Sequence, residues 1–242
     1  SSTGGNAYGL AATNHGTLSG DGANSIANVS VTENTASKNA YGVYAYNGSS
    51  VTGASIDKLT VDSAGRAYGV NVDRSTATVS SADLAVGAMS VSGDMAAYGV
   101  NAYGGSVKLA MNGDMAVKTA GDDANGVYAT GSDVRFTGAQ ALTVSADNGG
   151  GYGIYARNSS VSGDAQSLTV SANSSEYVGR GIHAWQSGDV KLALSGDLTV
   201  EGRSGVAEGI IASTNSDVKF TGVKAMSVSS GSGGAYGIQS YG

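Results

Sequence analysis

The chain has 242 residues, 39 of them Gly, with no Pro and no Cys, and its net charge is −6 from only 13% charged residues. The lack of Cys excludes a disulfide framework and a thiolate metal site. The mildly acidic, neutral-polar balance leaves no basic patch for nucleic acid, and no 18-residue apolar run exists to span a membrane.

In chain order, the first element is Ala-Tyr-Gly-Leu at 7–10, and variants of it, built on Tyr-Gly-Val-x-Ala, return along the whole sequence. The glycines of this tract are Gly9, Gly42, Gly69, Gly99, Gly126, Gly153, Gly181, Gly209 and Gly237, at intervals of 33, 27, 30, 27, 27, 28, 28 and 28 residues. Self-similarity at such a period marks a stack of repeated units.

Each period holds three short runs of alternating apolar residues. In the fifth they are Gly126 to Ala129, Asp133 to Phe136 and Leu142 to Ser145. Gly, Ser, Asn and Asp, the turn formers, lie between them. Such runs read as half-buried strands. Three strands in about 27–28 residues leave no room for a helical crossover. The expected fold is all-β, a parallel β-helix (β-solenoid) of eight to nine coils, each bonded to the next at about 4.8 Å. Residues 1–242 form one continuous solenoid in this reading. The chain starts and stops inside a repeat, so we expect a segment of a longer surface protein.

Pleat parity assigns the interior. Run one turns inward Val43, Val70, Val100, Val127, Ile154, Ile182, Ile210 and Ile238. Run two buries pairs such as Val107 with Leu109, Val134 with Phe136, Val190 with Leu192 and Val218 with Phe220. Run three buries Leu59 with Val61, Met89 with Val91, Met115 with Val117, Leu142 with Val144, Leu168 with Val170, Leu198 with Val200 and Met226 with Val228. A longer period overlies the first: Ser132-Asp-Val-Arg-Phe-Thr-Gly resembles Ser216-Asp-Val-Lys-Phe-Thr-Gly, three coils on.

Function has fewer signals. Two and four residues after the anchor glycine stand Tyr44, Tyr46, Tyr103, Tyr128, Tyr155, His183, Trp185 and Tyr241, all expected on one outward face. Aromatic faces stack on sugar rings, so this strip is the candidate ligand-binding site; the competing reading is packing between neighbouring strands. Tyr8, Tyr41, Tyr68, Tyr98, Tyr152 and Tyr236 precede the anchor. Asn125, Arg180 and Glu208 replace them elsewhere, which points to a structural ladder at a corner outside the deep core. Run two alternates Asp133 with Arg135, Asp189 with Lys191 and Asp217 with Lys219. Those charges read either as diagonal pairs that keep register and solubility or as an anion-binding stripe. Thr60, Thr143, Thr169 and Thr199 line run three, but Asp62 and Glu201 break the regular array that ice binding would need.

Catalytic constellations are missing. The histidines are His15 and His183, no His-x-x-His or Gly-x-Ser-x-Gly occurs, and the carboxylates are scattered at turns. No enzyme activity, cofactor or metal is expected.

The tracts Ala-Tyr-Gly-Val-Tyr-Ala, Ser-Ser-Val-Ser-Gly and Ala-Leu-Thr-Val-Ser resemble the passenger regions of bacterial autotransporters. The resemblance runs through every coil, though its Gly/Ser/Thr/Asn-rich character is shared with other secreted β-solenoids. It implies a right-handed parallel β-helix, secreted and displayed extracellularly on a Gram-negative cell surface, and often adhesion. It transfers no individual site residue. The leading expectation is a structural stalk or fibre; the alternative is an adhesin that binds host or microbial glycans through the aromatic strip. End-to-end self-association through open coil edges is the other partner expected. Nucleic acid is not a partner, and membrane anchoring would come only from sequence outside this segment.

Overall fold

The computed structural model describes residues 5–22, 25–74, 79–173 and 177–241. These contain 22 strands and no helix. Every strand pairing is parallel. The chain is a β-solenoid of about eight turns, with coils of about 28 residues.

The three runs lie on two sheets. Run one builds a nine-stranded sheet from Ala7–Thr13 through Asn39–Tyr46, Arg66–Asp73, Ala96–Tyr103, Ala124–Thr130, Gly151–Arg157, Gly179–Trp185 and Ala207–Ser213 to Ala235–Tyr241. Runs two and three share a 13-stranded sheet. In four coils they fuse into one long strand, as in Ser50–Ser63, Ser81–Gly93, Asp133–Ala146 and Ser160–Ala172. In others a polar break such as Asn112-Gly113-Asp114 divides them, giving Ser106–Met111 and Met115–Thr119.

The longer period has a backbone cause. Gly53, Gly138 and Gly222 stand between runs two and three with φ of 65, 74 and 77°. They are 85 and 84 residues apart, one in every third coil. An L side chain at that conformation is strained. At Gly138 a Cβ would also lie 2.2 Å from the Met111 carbonyl oxygen of the preceding coil. At the corner after run one, Asn47 and Asn158 adopt the left-handed region instead. Serine hydroxyls satisfy the backbone there. Ser132 Oγ donates to the Thr130 carbonyl at 2.9 Å and accepts from Gly105 N at 3.2 Å. Ser159 Oγ donates to Arg157 O and accepts from Ser132 N in the next repeat of the motif.

Between the sheets lies one apolar core. The inward residues of run one from Val43 to Ile210 are buried, as are the run-two and run-three pairs from Leu59 to Val200. Each fully buried Val, Leu, Ile or Phe contributes about 1.5–3 kcal/mol, but only because the neighbouring coils cover it. The last coil departs from the expectation. Ile238 is 61% exposed, and Val218, Phe220, Met226 and Val228 are half-buried, because no further coil lies over them.

The anchor glycine explains how so thin a section closes. Gly42 and Val43 are both buried, so the alternation slips by one residue at this point in the strand. A Cβ on Gly42 would lie 2.6 Å from the Gly69 carbonyl oxygen, 2.8 Å from Leu59 Cδ1 and 2.9 Å from Val61 Cγ2. The run-three pair therefore rests directly on bare glycine backbone. The same triad of contacts recurs at Gly126 with Gly153, Leu142 and Val144.

Candidate functional site: an aromatic face

The slip at the anchor glycine also decides which side chains share the outer face of the nine-stranded sheet. Two consecutive inward residues place both the tyrosine before the glycine and the residue two after it outside. Three columns result. The first joins Tyr8, Tyr41, Tyr68, Tyr98, Asn125, Tyr152, Arg180, Glu208 and Tyr236. The second runs through Tyr44, Asn71, Asn101, Tyr128, Tyr155, His183 and Ile211. The third runs through Tyr46, Asp73, Tyr103, Thr130, Arg157, Trp185, Ser213 and Tyr241.

All the residues singled out from sequence thus share one face, but they do not form one strip. Tyr128 stacks on Tyr155 at 4.8 Å, and Tyr155 meets His183 edge-on at 5.5 Å. Tyr44 stacks on Tyr46 at 5.8 Å. Trp185 is covered by the Arg157 guanidinium at 4.8 Å. Tyr103 is 55% exposed and touches no other ring among the described residues.

The ladder read from the sequence is the most regular feature of this face, and only its place differs. The tyrosines before the anchor stand on the strands themselves, where a corner ladder was expected. Tyr8, Tyr41, Tyr68 and Tyr98 stack within 8° of parallel at centroid distances of 5.1, 4.9 and 5.0 Å. Strict alternation would turn these tyrosines inward; the glycine two residues before the next outward position was the signal that it would not.

Small and large residues trade places between columns. Asn71 and Asn101 stand beside Tyr68 and Tyr98, with Asn101 Nδ2 donating to Asn71 Oδ1 at 2.6 Å. Where Asn125 interrupts the first column, the band crosses to the second, and Tyr98 meets Tyr128 edge-on at 5.9 Å. At Arg180 the first column continues with a charge. The Arg180 guanidinium lies 5.3 Å from the centre of the Tyr152 ring, donates to Tyr152 Oη at 2.6 Å and pairs with Glu208 at 2.5 Å. This accounts for a cation and an anion in a column of tyrosines.

Burial sets the electrostatics. It raises the phenol pKa of Tyr41, Tyr44, Tyr68 and Tyr152, and pushes Tyr98 and Tyr155 up to about 12. Neighbouring tyrosines add to the shift at Tyr41, Tyr44, Tyr98 and Tyr155. Burial, followed by the Arg180 charge, lowers His183 to about 4. Its Nδ1 is buried without a hydrogen-bond partner. Burial therefore favours the neutral form of Tyr41, Tyr44, Tyr68, Tyr98, Tyr152, Tyr155 and His183. Chemically, the tyrosine–histidine band offers ring edges and hydroxyls to solvent, while most ring faces are occupied by one another.

On the second sheet, the expected charge pairs form differently. Lys191 pairs with Asp189 at 2.7 Å within its own strand, and Lys108 lies opposite Asp83 at 3.9 Å rather than on a diagonal. Among the described residues, no group of three or more His, Asp and Glu side chains is placed to hold a metal ion. The chain matches no family model, and it has no significant match among curated proteins or solved structures.

Proposed function

We propose that this chain is a structural stretch of an extracellular rod, a non-enzymatic stalk or fibre displayed on a bacterial surface. The observation that carries the reading is how the aromatic face is spent. In the ladder from Tyr8 to Tyr98, inner rings have a partner on each face at about 5 Å, leaving no face for a sugar. Aromatic pairs of this kind add about 0.5–1.5 kcal/mol each beyond area burial. They stiffen one side of a stack whose stability is otherwise a sum of contacts between neighbours. The resemblance to autotransporter passengers and the absence of Cys fit export and display.

A specific observation keeps the adhesin reading in view. In the third column Tyr103 has both faces free of other rings, and Trp185 lies one column away from His183. Probing the segment with an array of neutral glycans separates the two. The stalk reading expects no saturable binding. Binding that is lost in Tyr103→Ala and Trp185→Ala overturns it in favour of an aromatic glycan site.

A further inference from the structure

The outer surface of run two carries a concave trough on the 13-stranded sheet, remote from the aromatic face. The register stacks Lys108, Arg135, Ser162, Lys191 and Lys219 in one column, one residue per coil. The next outward positions are short: Ala110 pairs with Thr137, Asp164 with Ala193, and Ala193 with Thr221. At the middle coil the cationic column gives way to Ser162, and the next residue of the same strand, Gly163, has no side chain. The surface dips there into an opening of about 450 Å³ between Arg135 and Lys219. Smaller hollows of about 240 and 330 Å³ share its Arg135 and Thr137 on one side and its Asp164, Ala193 and Thr221 on the other. The first hollow continues the trough along the rod over the preceding coils, and the second widens it across the strands. Its central hollow lies in the size range of small-molecule sites, about 300–1,000 Å³.

The polar groups are arranged for a ligand with both charges and hydroxyls. Arg135 and Lys219 have no ion-pair partner among the described residues, whereas Lys191 is held by Asp189. Three coils separate Arg135 from Lys219, about 14 Å at the coil spacing. Ser162, Thr137 and Thr221 supply hydroxyls between them. Asp164 also lies in the trough, with its Oδ1 accepting from Gly138 N at 2.6 Å and its other oxygen left to accept from a ligand. A second column, Asp133, Ser160, Asp189 and Asp217, runs alongside two residues away. A polyanion with a charge on every unit, such as nucleic acid, meets this acidic column and is repelled. A chain with widely spaced anions and many hydroxyls does not.

We propose that the trough binds a linear acidic polysaccharide in which uronic acids are spaced by neutral sugars, lying along the rod axis. Its carboxylates sit on Arg135 and Lys219, and its hydroxyls meet Ser162, Thr137 and Asp164. The guanidinium of Arg135 can take a carboxylate in two parallel hydrogen bonds. A repeating scaffold suits a repeating ligand, since each added coil brings another position in the same orientation.

The test is calorimetric titration of the whole chain with an oligosaccharide of alternating glucuronate and N-acetylglucosamine, whose carboxylates are spaced by neutral sugars, and with its carboxyl-reduced, neutral counterpart. Saturable binding is expected for the acidic oligomer, with the neutral one at least about tenfold weaker. Arg135→Ser with Lys219→Ser should weaken binding at least about tenfold, and Ser162→Trp, which fills the dip from an outward position, should do the same. All three positions face solvent, and an unchanged thermal midpoint certifies the fold. Lys58→Ser with Lys118→Ser, elsewhere on the sheet, should leave affinity within about twofold. Tyr103→Ala with Trp185→Ala should do so too, which separates this site from any on the aromatic face. No binding, equal binding of the neutral oligomer, or an equal loss in the Lys58 and Lys118 variant overturns the proposal.

Discussion

The Phe136 ring occupies the place where Gly163, its partner in the next coil, has no side chain. The two residues are paired in the register, and a Cβ on Gly163 would lie 2.4–2.6 Å from three atoms of the ring. The largest residue of the core is therefore housed by the smallest. Gly163→Ala should overpack the site and cost about 1–3 kcal/mol. Phe136→Ala should cost about 3–5 kcal/mol. The pair should be coupled: adding Gly163→Ala to Phe136→Leu should cost less than it does alone, by more than about 0.5 kcal/mol. Urea denaturation of the four proteins in the cycle measures this. Thr143→Ala, on the exposed side of run three, should stay within about 0.5 kcal/mol.

The stacked tyrosines should separate from the exposed one. Tyr68 lies between Tyr41 and Tyr98, so Tyr68→Ala removes two ring pairs and should cost about 2–3 kcal/mol. Tyr103→Ala should cost about 0.5 kcal/mol or less. Equal losses in thermal melts would show that ring stacking does not stabilise this face.

His183 gives the fold a pH dependence of definite sign. Its folded pKa, about 4, lies below the ordinary value of 6.5, so the unfolded chain binds a proton first as the pH falls. Stability from the neutral imidazole is complete above about pH 6.5 and is lost progressively between 6.5 and 4. His183→Gln should flatten the stability profile across that window. Denaturation midpoints of both proteins at pH 7 and pH 4.5 check it; an identical fall in the variant excludes His183 as the source.

Ile238 is the side chain that a following coil would cover, whether from a longer chain or from a second molecule. An uncovered strand with its apolar residue exposed templates another strand. The chain should therefore self-associate with rising concentration. Ile238→Lys should shift that association to higher concentration. Sedimentation velocity across a concentration series reads both, and a single sharp monomer throughout would refute end-to-end stacking.

The stack was legible because its determinants are local and repeated. The glycine anchors, the short alternating runs and the polar corners each recur at one spacing, so the inward residues from Val43 to Val200 could be named individually. Ile238 was named with the inward residues but is exposed, since its burial depends on a neighbour and not on its own strand. The shared face of Tyr41 and Tyr44 was hidden for a different reason. A single slip at Gly42 reverses the alternation upstream, and no pattern of period two contains that slip. The trough at Ser162 and Gly163 was equally invisible, because a hollow is made by small residues on one coil flanked by longer side chains on the coils around it, and small side chains carry little signal of their own.

One consequence follows from the direction of the bonding. The hydrogen bonds between coils run along the long axis, so tension applied to the two ends pulls on them in line. The coils then open in succession from an end, because each holds only its neighbours. Every coil released frees about 28 residues, roughly 90 Å of extended chain, in place of one 4.8 Å step. Such an object yields by lengthening in small instalments, and it dissipates a tug that would snap a single rigid attachment.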